Sequence, residues 1–290
     1  MDTKNWVDWH EYMSREKADN YEFASAPVVE KFAFLLGRQS GIMDKIPVSV
    51  ESKRLSATRP LLMGIASNAI AAIKLALQNF GNEVYPILRS LVERVITFYY
   101  LQACIESEFQ NYIDYSAQKT YRLLSRGIKI NEKAFSIGIP GGFDVDQFPE
   151  LKKSVEKYTS PKSRKPITKW SNTSLEEKLA IIDKSGVVDI SLLMIALVAV
   201  YDDGSEALHG TLYGCTFHLG SYKPGISIEC PEDMSKHHRE NLAMAFFLFG
   251  LLLGQMNSFV ADKLGLEKLG SISKDTDEQI IHTLDLCLGR

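Results

Sequence analysis

The sequence predicts an all-α protein, a multi-helix bundle interrupted by an irregular, basic middle segment. Three observations carry this. Apolar residues recur at three-and-four spacing through most of the chain, capping signatures punctuate that pattern, and strand-like alternation is thin. Sequential helices, some hydrophobic on all sides, pack as a bundle around a shared core.

Pro60 suits the start of a helix running to Leu77, with Gly81 after its end. Asn82 suits the cap of the next helix, which carries Leu88, Leu91, Val92, Val95, Ile96, Tyr99 and Leu101. An amphipathic helix follows from Glu108 to Leu124, ending near Gly127. Ser174 and Glu177 form a capping box ahead of Leu179, Ile181 and Ile182. Asp189 opens an almost wholly apolar helix, Ile190 to Tyr201. Pro231, Glu232 and Asp233 make a first turn for a long apolar helix, and Asp275 with Glu278 caps a last one through Leu286. Tyr222 to Glu229 alternates weakly around Pro224-Gly225 and reads as a loop or short hairpin arm. Residues 1–290 read as a single helical domain, with a first helical half at 22–128, an irregular basic insertion at 129–170 and a second half at 171–290.

The 290 residues hold 33 Lys+Arg and 36 Asp+Glu, a net charge of −3, with 45% hydrophobic residues. That balance excludes long disorder, collagen-like repeats and a generally basic nucleic-acid binder. The average hides a division. Leu151 to Trp170 contains seven basic residues and one acidic, a net of +6, so the remainder carries −9. A proline-broken basic stretch on an acidic body suits contact with a phosphate backbone through Lys162, Arg164, Lys165 and Lys169, with Tyr158 and Trp170 as stacking surfaces. The alternative is a solvated loop joining two helical halves.

The N-terminus, Met1 to Trp6, has neither the basic start nor the apolar run of a secretory signal. Cys104, Cys215, Cys230 and Cys287 lack Cys-x-x-Cys spacing and read as reduced thiols, so a cytoplasmic location is expected. Asn241 to Ala261 is 21 residues without charge, long enough for a bilayer, yet Gln255, Asn257 and Ser258 break it. A buried or self-associating core helix explains it better than membrane insertion, and leaves a homo-oligomer open.

Two helices place polar groups on otherwise apolar faces. Arg89, Glu93 and Tyr100 fall within about 40° of one another on one stripe. The stripe is either a structural ion pair or an Arg oriented by a carboxylate to hold an anion. Tyr201, Ser205 and His209 recur at i, i+4 and i+8, with His209 as a candidate acid or base and Ser205 as its partner or a nucleophile. No Gly-x-Ser-x-Gly elbow accompanies Ser205. His237-His238-x-Glu240 lacks the spacing that sets two imidazoles on one helix face, so no metal is expected. Without a Walker-type or Gly-x-Gly-x-x-Gly loop, no nucleotide cofactor is expected either.

Two groups of motifs carry a resemblance. They are Arg89-Ser90-Leu91-Val92-Glu93 in a helix ending Phe98-Tyr99-Tyr100-Leu101, and Lys169 to Glu177 followed by Tyr201-x3-Ser205-x3-His209-Gly210. Over about residues 60–260 the chain resembles an uncharacterised all-helical bacterial family of unknown function, sometimes encoded near phage-defence genes. The resemblance implies an all-α cytoplasmic protein with Arg89, Glu93, Tyr201, Ser205 and His209 at its polar positions. The helical ribonucleases that carry Arg and His four to six residues apart on one helix are a weaker comparison, since no Arg here has that spacing. Two functions are therefore expected as alternatives. One is a phage-defence or growth-arrest effector acting on RNA or another phosphate-bearing ligand, with ribonuclease-like hydrolysis. The other is a non-catalytic interaction module whose polar cluster is structural.

Overall fold

The structure, a computed structural model, describes residues 27–46, 52–78, 80–123, 125–138, 144–217 and 231–287. It is predominantly α-helical. The helices are α1 (Pro27–Met43), α2 (Lys53–Leu77), α3 (Gly81–Ala103), α4 (Glu106–Leu123), α5 (Pro149–Lys157), α6 (Leu175–Ser185), α7 (Ser191–Ala196), α8 (Asp202–His209), α9 (Leu212–Thr216), α10 (Pro231–Leu264) and α11 (Glu267–Cys287). A π-helical turn, Leu197–Tyr201, joins α7 to α8 without a break.

Two helices organise the rest. α3 buries residues on nearly every side, from Val84 to Leu101, and packs against α2, α6 and α8. α10 buries Phe246, Phe249, Leu252, Leu253 and Met256 completely and packs against α1 and α11. Side chains of both belong to one continuous core. The uncharged stretch of α10 is largely buried: both it and α2 are long and apolar enough to cross a membrane, and 67% of the most apolar 18 residues of α10 are buried against 33% of those of α2.

Local sequence placed several helix starts wrongly, and tertiary contacts explain each difference. α2 begins at Lys53, capped by Ser52, so Pro60 lies inside the helix. Pro60 is exposed, and water can meet the carbonyl its ring leaves unpaired. The earlier turn is anchored by Arg54, whose Nη1 donates to Leu101 O and Cys104 O at 2.8 Å each. α3 begins at Gly81, ahead of Asn82, and a Cβ at Gly81 would strike the ring of His238. α11 starts at Glu267, so Asp275 is internal and pairs with Arg38 at 2.9 Å instead of capping. The Ser174–Glu177 capping box is present in both directions, at 3.2 and 2.7 Å.

The middle segment is more ordered than its composition suggested. After α4 the chain forms an antiparallel hairpin, β1 (Ser125–Ile130) and β2 (Lys133–Gly138), turning at Asn131 with φ 55°. Next come a 3-10 turn at Val145–Gln147 and α5, which packs on α4. The basic run then closes into a tight turn through the Thr159–Pro166 bridge. Met194, Ile195 and Val198 on the helix expected to be buried are instead exposed. The weakly alternating stretch Tyr222–Glu229, together with Cys230, lies outside the described residues.

Candidate functional site

The site forms where α3 crosses the helix running from Ser191 to His209. Gly204 is buried at the crossing, and a Cβ there would lie 2.6 Å from Tyr85 O and 2.7 Å from Arg89 Cβ. A residue without a side chain is what lets the two helices approach this closely. One turn earlier, the π-turn delivers Tyr201 over Arg89. Such turns insert an extra residue and recur at functional positions.

Arg89, Glu93 and Tyr201 form a closed triad. Arg89 Nη2 lies 3.0 Å from Glu93 Oε1, the Tyr201 hydroxyl donates to the same oxygen at 3.0 Å, and Arg89 Nη2 donates to the Tyr201 oxygen at 3.2 Å. The guanidinium carbon sits 4.8 Å from the Tyr201 ring centroid. Burial raises the Tyr201 hydroxyl above its usual pKa, and its bond to Glu93 adds to the effect. The site reaches the surface, with 19% of the Arg89 side chain and 39% of the Glu93 side chain exposed.

A fourth residue, missed in the sequence, lies on the neighbouring helix within electrostatic reach of Glu93. Lys178 on α6 is 9% exposed, with its ammonium 5.0 Å from the Trp170 ring centroid and 5.7 Å from that of Tyr100. Burial lowers its pKa, while the charges of Glu93 and Glu108 hold the proton on. Among the described residues its ammonium makes no hydrogen bond or ion pair, and its contacts are with those two rings. Arg89 Nε is buried without an acceptor. The signal was available, because Lys178 shares the apolar stripe of Leu175, Leu179 and Ile182.

The other expected residues are distributed along this surface. Tyr100 is buried beneath the cluster, its hydroxyl 3.4 Å from Glu108 Oε2. Ser205 is half-buried one turn beyond Tyr201, and His209 is exposed at the end of α8. His209 stands about 12 Å from Tyr201 along the helix axis and is not brought to Arg89. Lys162, Arg164, Lys165 and Lys169 are exposed on the basic turn, held by the Ser160 N–H to Lys165 O bond at 2.9 Å and by Tyr115 donating to Thr168 O at 2.6 Å. Trp170 packs edge-on to Tyr112 and tilted on Tyr100 beneath Lys178, so it joins the basic turn to the cluster. Tyr158 is 5% exposed and donates to Asn111 O, so its ring does not present a stacking surface.

On the opposite side of α8 lies a cavity of about 420 Å³ lined by Tyr85, Asp203, Tyr213, His237, Asn241 and Met244, among others. Tyr213 donates to Asp203 at 2.8 Å, and His237 and Asn241 share a bond of 2.9 Å. Among the described residues, no three His, Cys, Asp or Glu side chains are grouped to hold a metal ion.

These features define a helical-bundle protein with a cationic, tyrosine-lined cluster between helices from its two halves. The chain belongs to a family of unknown function, DUF5677, whose match spans residues 56–225 and so takes in Arg89, Glu93, Lys178, Tyr201, Ser205 and His209. No curated protein and no solved structure matches it.

Proposed function

We propose that this protein is a cytoplasmic effector that binds a phosphate-bearing substrate, RNA foremost, at the Arg89–Glu93–Tyr201–Lys178 cluster. The observation that carries the reading is Arg89 Nε, buried without an acceptor beside Glu93 and Tyr201, with a second, mostly buried cation, Lys178, on the neighbouring helix α6. A buried guanidinium N–H without an acceptor is costly, and a phosphate oxygen supplies the missing acceptor. The basic turn at Lys162–Lys169 leads to the cluster through Trp170, which suits a polymer over a single phosphate. Hydrolysis would use His209 as acid or base on a part of the strand about 12 Å from Tyr201. In a bacterial cell, such activity would serve growth arrest or phage defence.

A second reading rests on the closure of the triad. Arg89, Glu93 and Tyr201 satisfy one another as an ion pair that fixes helix register would, in a non-catalytic interaction module. Lys178→Met separates the two. If the site holds phosphate, the variant binds a labelled single-stranded oligoribonucleotide at least about tenfold more weakly while melting no lower than the parent, because a buried charge has been removed. His209→Ala then keeps binding and loses cleavage. Unchanged RNA affinity in both Lys178→Met and Arg89→Ala would leave only the structural reading.

A further inference from the structure

Two apolar surfaces face solvent away from the cluster. The first is the β-hairpin. Its register sets Ile128 opposite Phe135, Ile130 opposite Lys133 and Arg126 opposite Ile137, and directly opposed residues share a face. Ile128, Ile130, Phe135 and Ile137 thus form one apolar face, each between 59% and 65% exposed. A two-stranded sheet is marginal in water by itself. Among the described residues this one touches the body chiefly where β1 leaves α4, and both of its edges are unpaired.

The second surface is the outer face of the helix at Ser191–His209. Met194, Ile195 and Val198 are 51%, 52% and 81% exposed. Asp202 and Glu206, both exposed, continue that stripe at four-residue spacing, so it changes from apolar to acidic along its length. Met194 to Glu206 spans about 18 Å of helix, and each six-residue hairpin strand about 20 Å. Lys133 adds a cation to the hairpin's apolar face at its tip, and Lys129 lies close by on the other face.

We propose that the hairpin of one molecule clasps the Met194–Glu206 face of a second copy, and the reverse, forming a twofold dimer by exchange of arms. The two surfaces match in length, and the hairpin's apolar face, bounded in register by Lys133 at the tip and Arg126 at the base, is complementary in charge to the acidic end of the helix face. A reciprocal contact closes the symmetry and leaves no arm uncovered. If each large apolar side chain gives up on the order of 100 Å², two such contacts bury about 1,400 Å², the range of stable specific interfaces.

Sedimentation of the full chain at micromolar concentration tests this. The parent should sediment as a dimer, and Phe135→Asp and Val198→Asp should each weaken association at least about tenfold with helical content by circular dichroism unchanged. Mixing the two variants under separate tags should restore partial association, since one intact arm then meets one intact helix face. Lys133→Glu should weaken the dimer and Glu206→Lys in the same chain should restore it. A monomeric parent overturns the proposal, as does a dimer that survives Val198→Asp, which would place hairpin against hairpin. A monomer that binds phosphatidylserine vesicles through Phe135 overturns it too, and assigns the apolar face to lipid.

Discussion

Asp277 shows how one side chain can be tuned by its neighbours without any charged partner. It sits on α11 in the space a Cβ at Gly254 would fill, and accepts a hydrogen bond from Gln39 Nε2 at 2.8 Å. Burial raises its pKa from 3.8 to about 7, although the Gln39 bond opposes the rise. The folded state then holds a proton that the unfolded chain releases near pH 4. The contribution of Asp277 to native stability is therefore greatest at low pH, falls between about pH 4 and 7, and is a full penalty above that. Asp277→Asn keeps an acceptor for Gln39 and should remove this dependence, raising stability at pH 8 by up to about 2 kcal/mol in urea titrations. At Gly204 the sign is reversed. Alanine there meets the Tyr85 carbonyl and Arg89 Cβ, so Gly204→Ala should cost about 2–4 kcal/mol and weaken RNA binding as Tyr201 is displaced.

Helix ends in this protein are set as much by other helices as by their own caps. Arg54 belongs to α2, yet its guanidinium closes the C-terminus of α3 through two carbonyls and also pairs with Glu106 at 3.1 Å. Arg54→Ala should cost about 1–2 kcal/mol and speed hydrogen exchange at the amides from Cys104 to Phe109. The elements most visible in the sequence were those whose signals are local, such as the Ser174–Glu177 box and the first turn at Pro231. Pro60 and Asp275 misled because each has a second use: one rests on a solvent face, the other holds Arg38. The hairpin was hidden because Ser125–Ile130 and Lys133–Gly138 are short, the first contains the Gly127 expected to end α4, and the turn between them lacks Asn-Gly.

At the scale of the molecule, the charge division governs how a polyanion would bind. The +6 of Leu151–Trp170 is divided between α5 and the turn that follows it, where Lys162, Arg164, Lys165 and Lys169 lie, and the turn is anchored by Arg122 Nη2 donating to Val155 O and Thr159 Oγ1. RNA affinity should accordingly fall steeply with salt. Removing the charges of Lys162, Arg164, Lys165 and Lys169 together should reduce the slope of log K against log salt by about 3, measured by fluorescence anisotropy. Arg89→Ala in the same assay should weaken binding with a much smaller change in slope.

What the sequence determined by itself was the helical class, most of the helices, the polar stripe of Arg89 and Glu93, and the Tyr201–Ser205–His209 face. Each depends on spacing within one helix, which 3.6 residues per turn makes legible. What only the tertiary structure decided was which stripes meet. The Gly204 crossing and the π-turn bring Tyr201 to Arg89, and the packing of α6 on α3 buries Lys178 near Glu93. The same structure leaves His209 on the surface and turns Met194, Ile195 and Val198 outward. These outcomes depend on where two backbones touch, and that is a property of pairs of helices that no single helix's periodicity contains.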